Sequence, residues 1–485
     1  MNEHRPGHTA AISSRRRWGV AAAIAVLALM VRLPWLTSLG FISDQSQFVR
    51  WSAISRSPGG MATVYVPRTL RGSPLCNYPP ITIYVLRGVA AAYDLCSPPP
   101  QLLDQTLAQD IALANRTPAV RRAMVLYKLP AVLADVALGM LLFLFLAGRF
   151  AWWSAAAVAA CYVLIPAVIH NSAMWGQVDA LPTLLVVASL EMARRRRLVW
   201  MTVLATLAVL TKAQTAAMAP LWLAVSVAWC LGSCGTGFQP VPQRASPAET
   251  PRSTEASRVV ARRCLILIGT TAAVLLVVLF PFRHVLDAVW CAYIGATSFY
   301  PFTHLNGFSA WFLGAPMLWP HLHAVRLTEW YLSDAAGGPL GMSLRHWGMF
   351  GVVSVWGLVL TMLWRRRCDD RSIRWAARVL PLAFFVLSTQ MHERYLFQAL
   401  AIWAWSFVPT RRCWVGWVIL AAAASINAFW AWPGPAGAAW VPAVDRLLHR
   451  TWLGLSPGVW CSAALIGLLA LCLIGWFDGL FKRPG

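Results

Sequence analysis

The chain alternates long apolar runs with short polar interruptions, and most runs are longer than a core strand or an ordinary buried helix. A bilayer's hydrocarbon core takes about 17–25 apolar residues of helix. Counting runs of that length, broken ones included, predicts about twelve membrane-spanning helices. They fall at 18–39, 123–147, 151–170, 178–193, 198–212, 214–232, 264–282, 346–364, 373–390, 395–410, 413–432 and 456–476. The expected fold is an all-α integral membrane protein, a polytopic helix bundle. The first run follows Arg15-Arg16-Arg17 as a signal peptide would. It lacks a small-residue cleavage site and continues through Arg32 and Pro34, so it is predicted to be a retained span.

Charge sets the expected orientation. With the N-terminus inside, Arg194 to Arg197, the 233–263 segment, Arg365 to Arg367, Arg411-Arg412 and Lys482-Arg483 all face the cytoplasm, as the positive-inside rule requires. The chain then divides into a cytoplasmic tail (1–17), an N-terminal transmembrane module (18–232) and a cytoplasmic linker (233–263). A C-terminal transmembrane module (264–476) and a second cytoplasmic tail (477–485) follow. Two large extracytoplasmic loops are expected, at 41–122 and 283–345. In the first, Ile81 to Tyr93 is apolar but too short to cross, and is predicted to lie along or dip into the interface. The linker is rich in Gly, Pro, Ser and Thr and is predicted to be disordered. The expected location is the plasma (inner) membrane, multi-pass, with both termini cytoplasmic. No internal repeat is visible, which weighs against inverted-repeat transporter architecture.

Composition narrows the class. Of 485 residues 58% are hydrophobic and 12% charged, and the mean hydropathy is +0.58. Soluble chains carry about a quarter charged residues, so a soluble enzyme, a fibre and a disordered chain are excluded. The net charge of +23 sits in short clusters between apolar runs, which is a topology signal rather than a nucleic-acid surface. The eleven cysteines form no CxxC pair, and Cys230 and Cys234 have no histidine nearby, so no zinc site is expected. Cys76 and Cys96 should both lie outside the cytoplasm, where a disulfide or two structural thiols are equally good readings.

The scarce polar residues gather in four clusters, all on the outer side of this topology. In Ser43-Asp44-Gln45-Ser46-Gln47, Asp44 either caps an interfacial helix or acts as a general base at the membrane surface. Cys76-Asn77-Tyr78-Pro79-Pro80 is a rigid extended turn with Tyr78 as an interfacial anchor. In the turn from His170 to Asp179, Asp179 could cap the next span and Trp175 could belong to the aromatic belt. Alternatively His170, Asn171, Gln177 and Asp179 hold a sugar on which Trp175 stacks. Lys212 and Gln214 join this group, since a lysine between two apolar spans needs a counter-ion. Asp135, inside a span, is either functional or a buried contact locking helices together. Last, His392-Glu393-Arg394 at a membrane boundary suits an anionic head group, with Arg394 and His392 as phosphate donors.

Together these clusters resemble the GT-C superfamily of polytopic glycosyltransferases. The likeness is nearest to bacterial GPI-anchor mannosyltransferase-like proteins, and extends to the dolichyl-phosphate-glucose-dependent glucosyltransferases of N-glycan assembly. The matching features are Asp44 seven positions before Trp51, Tyr78-Pro79-Pro80, Trp175-Gly176-Gln177-Val178-Asp179, and Lys212 and Gln214 with Ala219-Pro220. Tyr-Pro-Phe-Thr at 300–303 and Met-His-Glu-Arg-Tyr at 391–395 complete the set. The chain departs from the glucosyltransferases at Ser46, where they are acidic, and at Val49-Arg50, where they have Arg-His, so sugar and acceptor are not carried over.

The resemblance implies a GT-C type bundle and a polyprenyl-phosphate-linked sugar donor. A hexose, mannose favoured, would pass with inversion to an extracytoplasmic glycolipid, glycan or protein acceptor. In that reading Asp44 is the base, and Arg394, His392 and Lys212 bind the donor phosphate. Trp175, Gln177, Asp179, Tyr78 and Gln214 hold sugar or acceptor, and Glu393 orients its neighbours. Neither a cofactor nor a metal is required. The competing readings are a transporter or flippase of lipid-linked sugars, and a glycan-binding scaffold subunit.

Overall fold

The structure, a computed structural model, describes residues 13–66, 76–96, 105–232, 253–295, 300–313, 332–435 and 438–476. Residues 1–12 of the first tail, the second tail (477–485) and the 233–252 part of the linker lie outside the described residues, and the first helix begins within the expected tail, at Ser14. The described chain is almost wholly helical. Six helices are long and apolar enough to cross a membrane: Ser14–Trp35, Pro118–Leu146, Ala213–Cys230, Ser257–Leu279, Leu344–Arg365 and Arg411–Ala431. A bent pair, Trp152–Leu164 with Pro166–Trp175, makes up to seven. The chain is thus a multi-helix bundle with membrane-protein character.

In chain order the first helices are α1 (Ser14–Arg32), α2 (Ile42–Arg56), α3 (Pro80–Leu95), α4 (Gln105–Ala112), α5 (Pro118–Leu146) and α6 (Trp152–Leu164). Then come α7 (Pro166–Ile169), α8 (Ala180–Arg194), α9 (Leu198–Thr211), α10 (Ala219–Cys230), α11 (Ser253–Leu279) and α12 (Val285–Val289). The last are α13 (Leu344–Arg365), α14 (Asp370–Leu387), α15 (Phe397–Trp405), α16 (Arg411–Ala431), α17 (Val441–Leu448) and α18 (Pro457–Leu473). Each of the twelve apolar runs expected from the sequence carries helix over part or most of its length, but among the described residues only six helices, or seven with the bent pair, are long and apolar enough to cross a membrane. α11 starts at Ser253, so the part of the linker from 253 to 263 is helix rather than disordered chain.

Local chemistry sets the helix ends. Ser13, Thr117, Ser343, Asp369 and Thr410 each turn a side-chain oxygen onto a first-turn backbone N–H, satisfying a donor the helix itself cannot pair. Pro166 breaks α6 from α7. It offers no N–H and forces Ile165 to extended backbone, which bends the pair by 54°. A π-helical turn, His170–Trp175, follows and stops at Gly176, which is left-handed at φ +84°. A β-carbon there would collide with the Gln45 amide and the Lys128 stem, so only glycine fits. Lys212 interrupts the next apolar stretch with extended backbone between α9 and the 3-10 turn Ala213–Met218.

Two cores result. The larger runs through the bundle, from α1, α5, α6 and α8 to α14, α15, α16 and α18. The smaller joins α2, α3 and α4 to the first half of α5, with Phe282 and Cys291. α3 is therefore packed against protein, with Thr82 Oγ1 donating to Thr211 O at 2.7 Å. Cys76 is buried, Cys96 is exposed, and both are free thiols with no bond between them.

A two-residue parallel ladder pairs β1 (His304–Leu305) with β2 (Met391–His392). Gly307 lies backbone to backbone on Met391, its N–H donating to Met391 O at 3.1 Å. The buried Asp334 carboxylate clamps the same place. It accepts from Arg345 Nε and Nη2 at 2.8 and 2.9 Å and from Gln390 Nε2 at 2.7 Å. This ties the segment around Asp334 and the start of α13 to the strand that carries His392.

Candidate active site

The four polar clusters of the sequence meet in one place, at the end of the bundle where α1 and α9 end and α8 begins. Asp44 sits in the first turn of α2, whose N-cap is Phe41. Its carboxylate does not cap the helix. Oδ2 accepts from Trp175 Nε1 at 2.8 Å and from Gln177 Nε2, and Arg394 Nη2 lies 4.0 Å away. Among the described residues Oδ1 accepts no hydrogen bond, and the side chain is 18% exposed. One oxygen is thus fixed and the other is left for a visitor.

Gln177 links this carboxylate to the second cluster, since its Oε1 accepts from the Tyr78 hydroxyl at 3.0 Å. Burial raises the Tyr78 hydroxyl well above its ordinary pKa despite the nearby Arg394, so it remains a donor. Asp179 does not cap α8 either. Its carboxylate accepts from Asn171 Nδ2 at 2.9 Å and pairs with Lys212 Nζ, both partners buried. Lys212 also lies over the rings of Tyr78 and Tyr395, at 5.6 and 5.4 Å from their centroids. Its charge is balanced within the protein. Gln214, two residues further along the same break, stands beside Tyr395.

Arg394 has the richest surroundings. Nη1 donates to Glu393 Oε1 at 2.9 Å, and the guanidinium lies 5.4 Å from the Trp175 ring. Burial pulls its pKa down, but the carboxylates of Asp44 and Glu393 hold it well above the usual value. Burial raises the Glu393 carboxyl, with Arg394 pulling the other way. His392 behaves differently. Burial, followed by the charges of Arg394 and Lys212, pushes its imidazole well below its ordinary pKa, so it is neutral here. Its ring lies between Tyr300 and Tyr395, 5.3 and 5.1 Å away edge to face, and Nδ1 is 3.9 Å from Glu393 Oε2. The sequence suggested a cationic His392; the site makes it a neutral one.

Trp175 meets a sugar-stacking role with a ring already occupied. Phe41 stacks on it at 4.3 Å, Trp432 meets it edge-on, and the residue is buried. What it presents to the site is its N–H. His170 is buried among Trp175, Phe429 and Trp432, with a 2.8 Å hydrogen bond from Nε2 to Trp432 O. Asp135 is a helix lock: it pairs with Arg32 at 3.2 Å, both wholly buried, and Arg32 also reaches Ser172 in the site-bearing turn.

Two supporting residues were not assigned a role from the sequence. Gln45, fully buried, donates to Trp175 O and Gly176 O at 3.2 and 2.9 Å, stapling α2 to the turn. Lys128 donates to Trp35 O, Ser38 O and Ser38 Oγ, anchoring the segment that leads into α2. Gln45 stands next to Asp44 in a polar run, and Lys128 interrupts an apolar one, so both left a signal in the sequence. Neither signal names a partner.

Behind Arg394 and Trp175 is a cavity of about 10 Å³, lined further by Asn171, Phe397, Leu400 and Ala428. It is room for about one water. Arg394 Nε, Asn171 Oδ1 and Gln45 Oε1 are buried and make no hydrogen bond to a described residue. Buried polar atoms are seldom left unpaired, so these three positions suit water or a polar ligand. Among the described residues no three His, Cys, Asp or Glu side chains gather to hold a metal ion. No protein-family model matches the chain, and no curated protein matches it.

Proposed function

We propose that this chain is a membrane glycosyltransferase of GT-C type, with about twelve spans, two large extracytoplasmic loops and the site at the outer face. It moves a hexose, mannose favoured, from a polyprenyl-phosphate donor to an extracytoplasmic acceptor with inversion. The observation that carries the reading is the approach of Asp44 to Arg394, at 4.0 Å, from opposite ends of the chain. An acid–base group and a fixed cation side by side match a displacement at an anomeric carbon bearing phosphate.

In this mechanism the donor phosphate takes Arg394 from its loose pairing with Asp44. Trp175 and Gln177 keep the carboxylate oriented through hydrogen bonds from uncharged donors. Asp44 accepts the proton of the acceptor hydroxyl as its oxygen bonds to the anomeric carbon. The bond from that carbon to the phosphate oxygen breaks, and polyprenyl phosphate leaves with a second negative charge. Arg394 faces that growing charge and so stabilises the transition state more than the bound donor. Neutral His392 adds an N–H donor. Lys212, held by Asp179, acts at longer range on the potential. Glu393 fixes the Arg394 guanidinium through its 2.9 Å bond.

The test is reconstitution of the full chain in liposomes with polyprenyl-phosphate-linked hexoses and a panel of acceptor lipids. Donor consumption in detergent, where vectorial transport has no meaning, supports transfer. Movement of donor across a sealed bilayer without consumption would replace this reading with a flippase.

A further inference from the structure

Only Ser388, Thr389 and Gln390 separate α14 from β2, and Gln390 is left-handed at φ +62°. Glycine meets that conformation without steric cost, whereas a β-carbon crowds the following carbonyl oxygen. A glutamine stands there instead, and the buried Asp334 engages its amide. Gln390 Nε2 donates to Asp334 Oδ2 at 2.7 Å, and Thr389 Oγ1 donates to the same oxygen at 3.3 Å. The Gln390 N–H is shared between Phe302 O at 3.1 Å and Thr303 O at 3.2 Å. Asp334 is held through its own backbone as well. Its N–H donates to Pro301 O at 3.0 Å, and its carbonyl accepts from Arg345 N at 2.9 Å. On the opposite side of the ladder Asn306 is also left-handed, at φ +61°, and bridges His392. The ladder that carries His392 is thus bracketed by left-handed residues, and Glu393 and Arg394 follow it directly.

We infer that Asp334 is a positioning residue for Arg394. By holding Gln390 left-handed it aims β2 and the turn after it, and so sets where the guanidinium stands opposite Asp44. This rests on the glycosyltransferase reading in one respect: the ligand of Arg394 is a polyprenyl phosphate. The end of α14 is a fixed point, since the helix is buried in the larger core and Trp311 Nε1 donates to Leu387 O at 2.7 Å. From that point the link to β2 is three residues long. If Gln390 leaves the left-handed region, the ladder gives way, because two paired residues are the weaker constraint. Glu393 and Arg394 then move with it. Arg394 Nη2 stands 4.0 Å from Asp44 Oδ2, and a misplacement of about 1 Å between groups that act on one substrate is costly.

The experiment titrates full-length protein in a neutral sugar detergent with polyprenyl phosphate, reading its affinity by native mass spectrometry and the stability of each variant by Tm. Gln390→Ala and Gln390→Gly both lose the amide that Asp334 holds, but only alanine resists the left-handed backbone. Gln390→Ala is expected to weaken binding on the order of tenfold, and Gln390→Gly to stay close to wild type. Asp334→Asn sets an amide N–H₂ against donors of Arg345 or Gln390, and should also weaken binding on the order of tenfold. Asp334→Asn/Gln390→Gly should regain the affinity of Gln390→Gly while its Tm stays low, because Arg345 still lacks its carboxylate. A purely structural role would not separate the two readings in this way. Equal affinity in Gln390→Ala and Gln390→Gly overturns the proposal, as does wild-type affinity in Asp334→Asn or the absence of rescue in the double variant. Binding that survives Arg394→Gln, or wild type that binds no polyprenyl phosphate, overturns it too. Sugar and acceptor are absent from this assay. Wild type that shows the Asp334 dependence yet transfers no hexose therefore supports the positioning role and sinks the enzyme reading alone.

Discussion

The Trp175 indole N–H donates to Asp44 Oδ2 at 2.8 Å, joining a π-helical turn to the first turn of a helix that lies far earlier in the chain. The aromatic ring is buried against Phe41, so the bond is held by packing on one side and by Gln177 and Arg394 on the other. A carboxylate so restrained keeps one oxygen in place while the other meets substrate, and the consequences can be measured.

Asp44→Asn keeps shape and most hydrogen bonding but cannot take a proton. Transfer from a polyprenyl-phosphate hexose should fall by about 10²–10⁴-fold, the usual contribution of a general base. Donor binding and thermal unfolding in detergent should stay near wild type. An undiminished rate in correctly inserted protein removes Asp44 from the base role.

Trp175→Phe retains the stacked ring and removes only the N–H. A lost hydrogen bond to a charged group is worth about 1.5–3 kcal/mol, which corresponds to roughly a ten- to hundredfold drop in kcat. KM for donor should hardly move, because the phosphate contacts are untouched. A change in KM alone would point to direct contact between this ring and the sugar.

Lys212 and Asp179 form a buried pair, so removing one partner strands a charge. Lys212→Met should lower stability by about 3–5 kcal/mol, read as a large drop in Tm of the solubilised protein. Lys212→Met/Asp179→Asn should recover most of that loss. Recovery of stability without recovery of transfer would separate the pair's effect on the site's potential from its structural role.

His392 gives a pH signature. Its folded-state pKa lies well below the ordinary value, through burial and then Arg394 and Lys212. The unfolded chain takes up a proton near pH 6.5 while the folded one does not. Its contribution to stability is therefore fully present above about pH 6.5 and falls as pH drops below it, by up to about 1.4 kcal/mol per pH unit. Glu393, raised in the fold, works in the opposite sense: its stabilisation is present at low pH and lost as pH rises through its folded pKa. The comparison that isolates His392 is thus wild type against His392→Gln from pH 7.5 to 5.5, with Glu393 in both. Parallel curves would show that His392 carries a proton in the folded protein.

The helices were legible along the chain because hydropathy is a local sum: each apolar run reports its own fate wherever its neighbours lie. The caps at Thr117, Ser343 and Asp369 and the break at Pro166 are local for the same reason. The polar clusters were legible too, since a charged residue between apolar runs stands out by composition alone. Partner choice was not. Asp179 reads equally well as a cap or a ligand until Lys212 is seen on it, and Asp135 is ambiguous until Arg32 closes on it. Trp175 looks like an open stacking platform until Phe41 covers it, and His392 looks cationic until burial and two neighbouring cations keep it neutral. Gln45 and Lys128 have no role until the segments they staple are brought together. These outcomes depend on how each helix is rotated and tilted against the others, which is settled by packing over the whole bundle. A run of residues records how strongly it prefers lipid or water, whereas only the assembled fold decides which polar atom meets which.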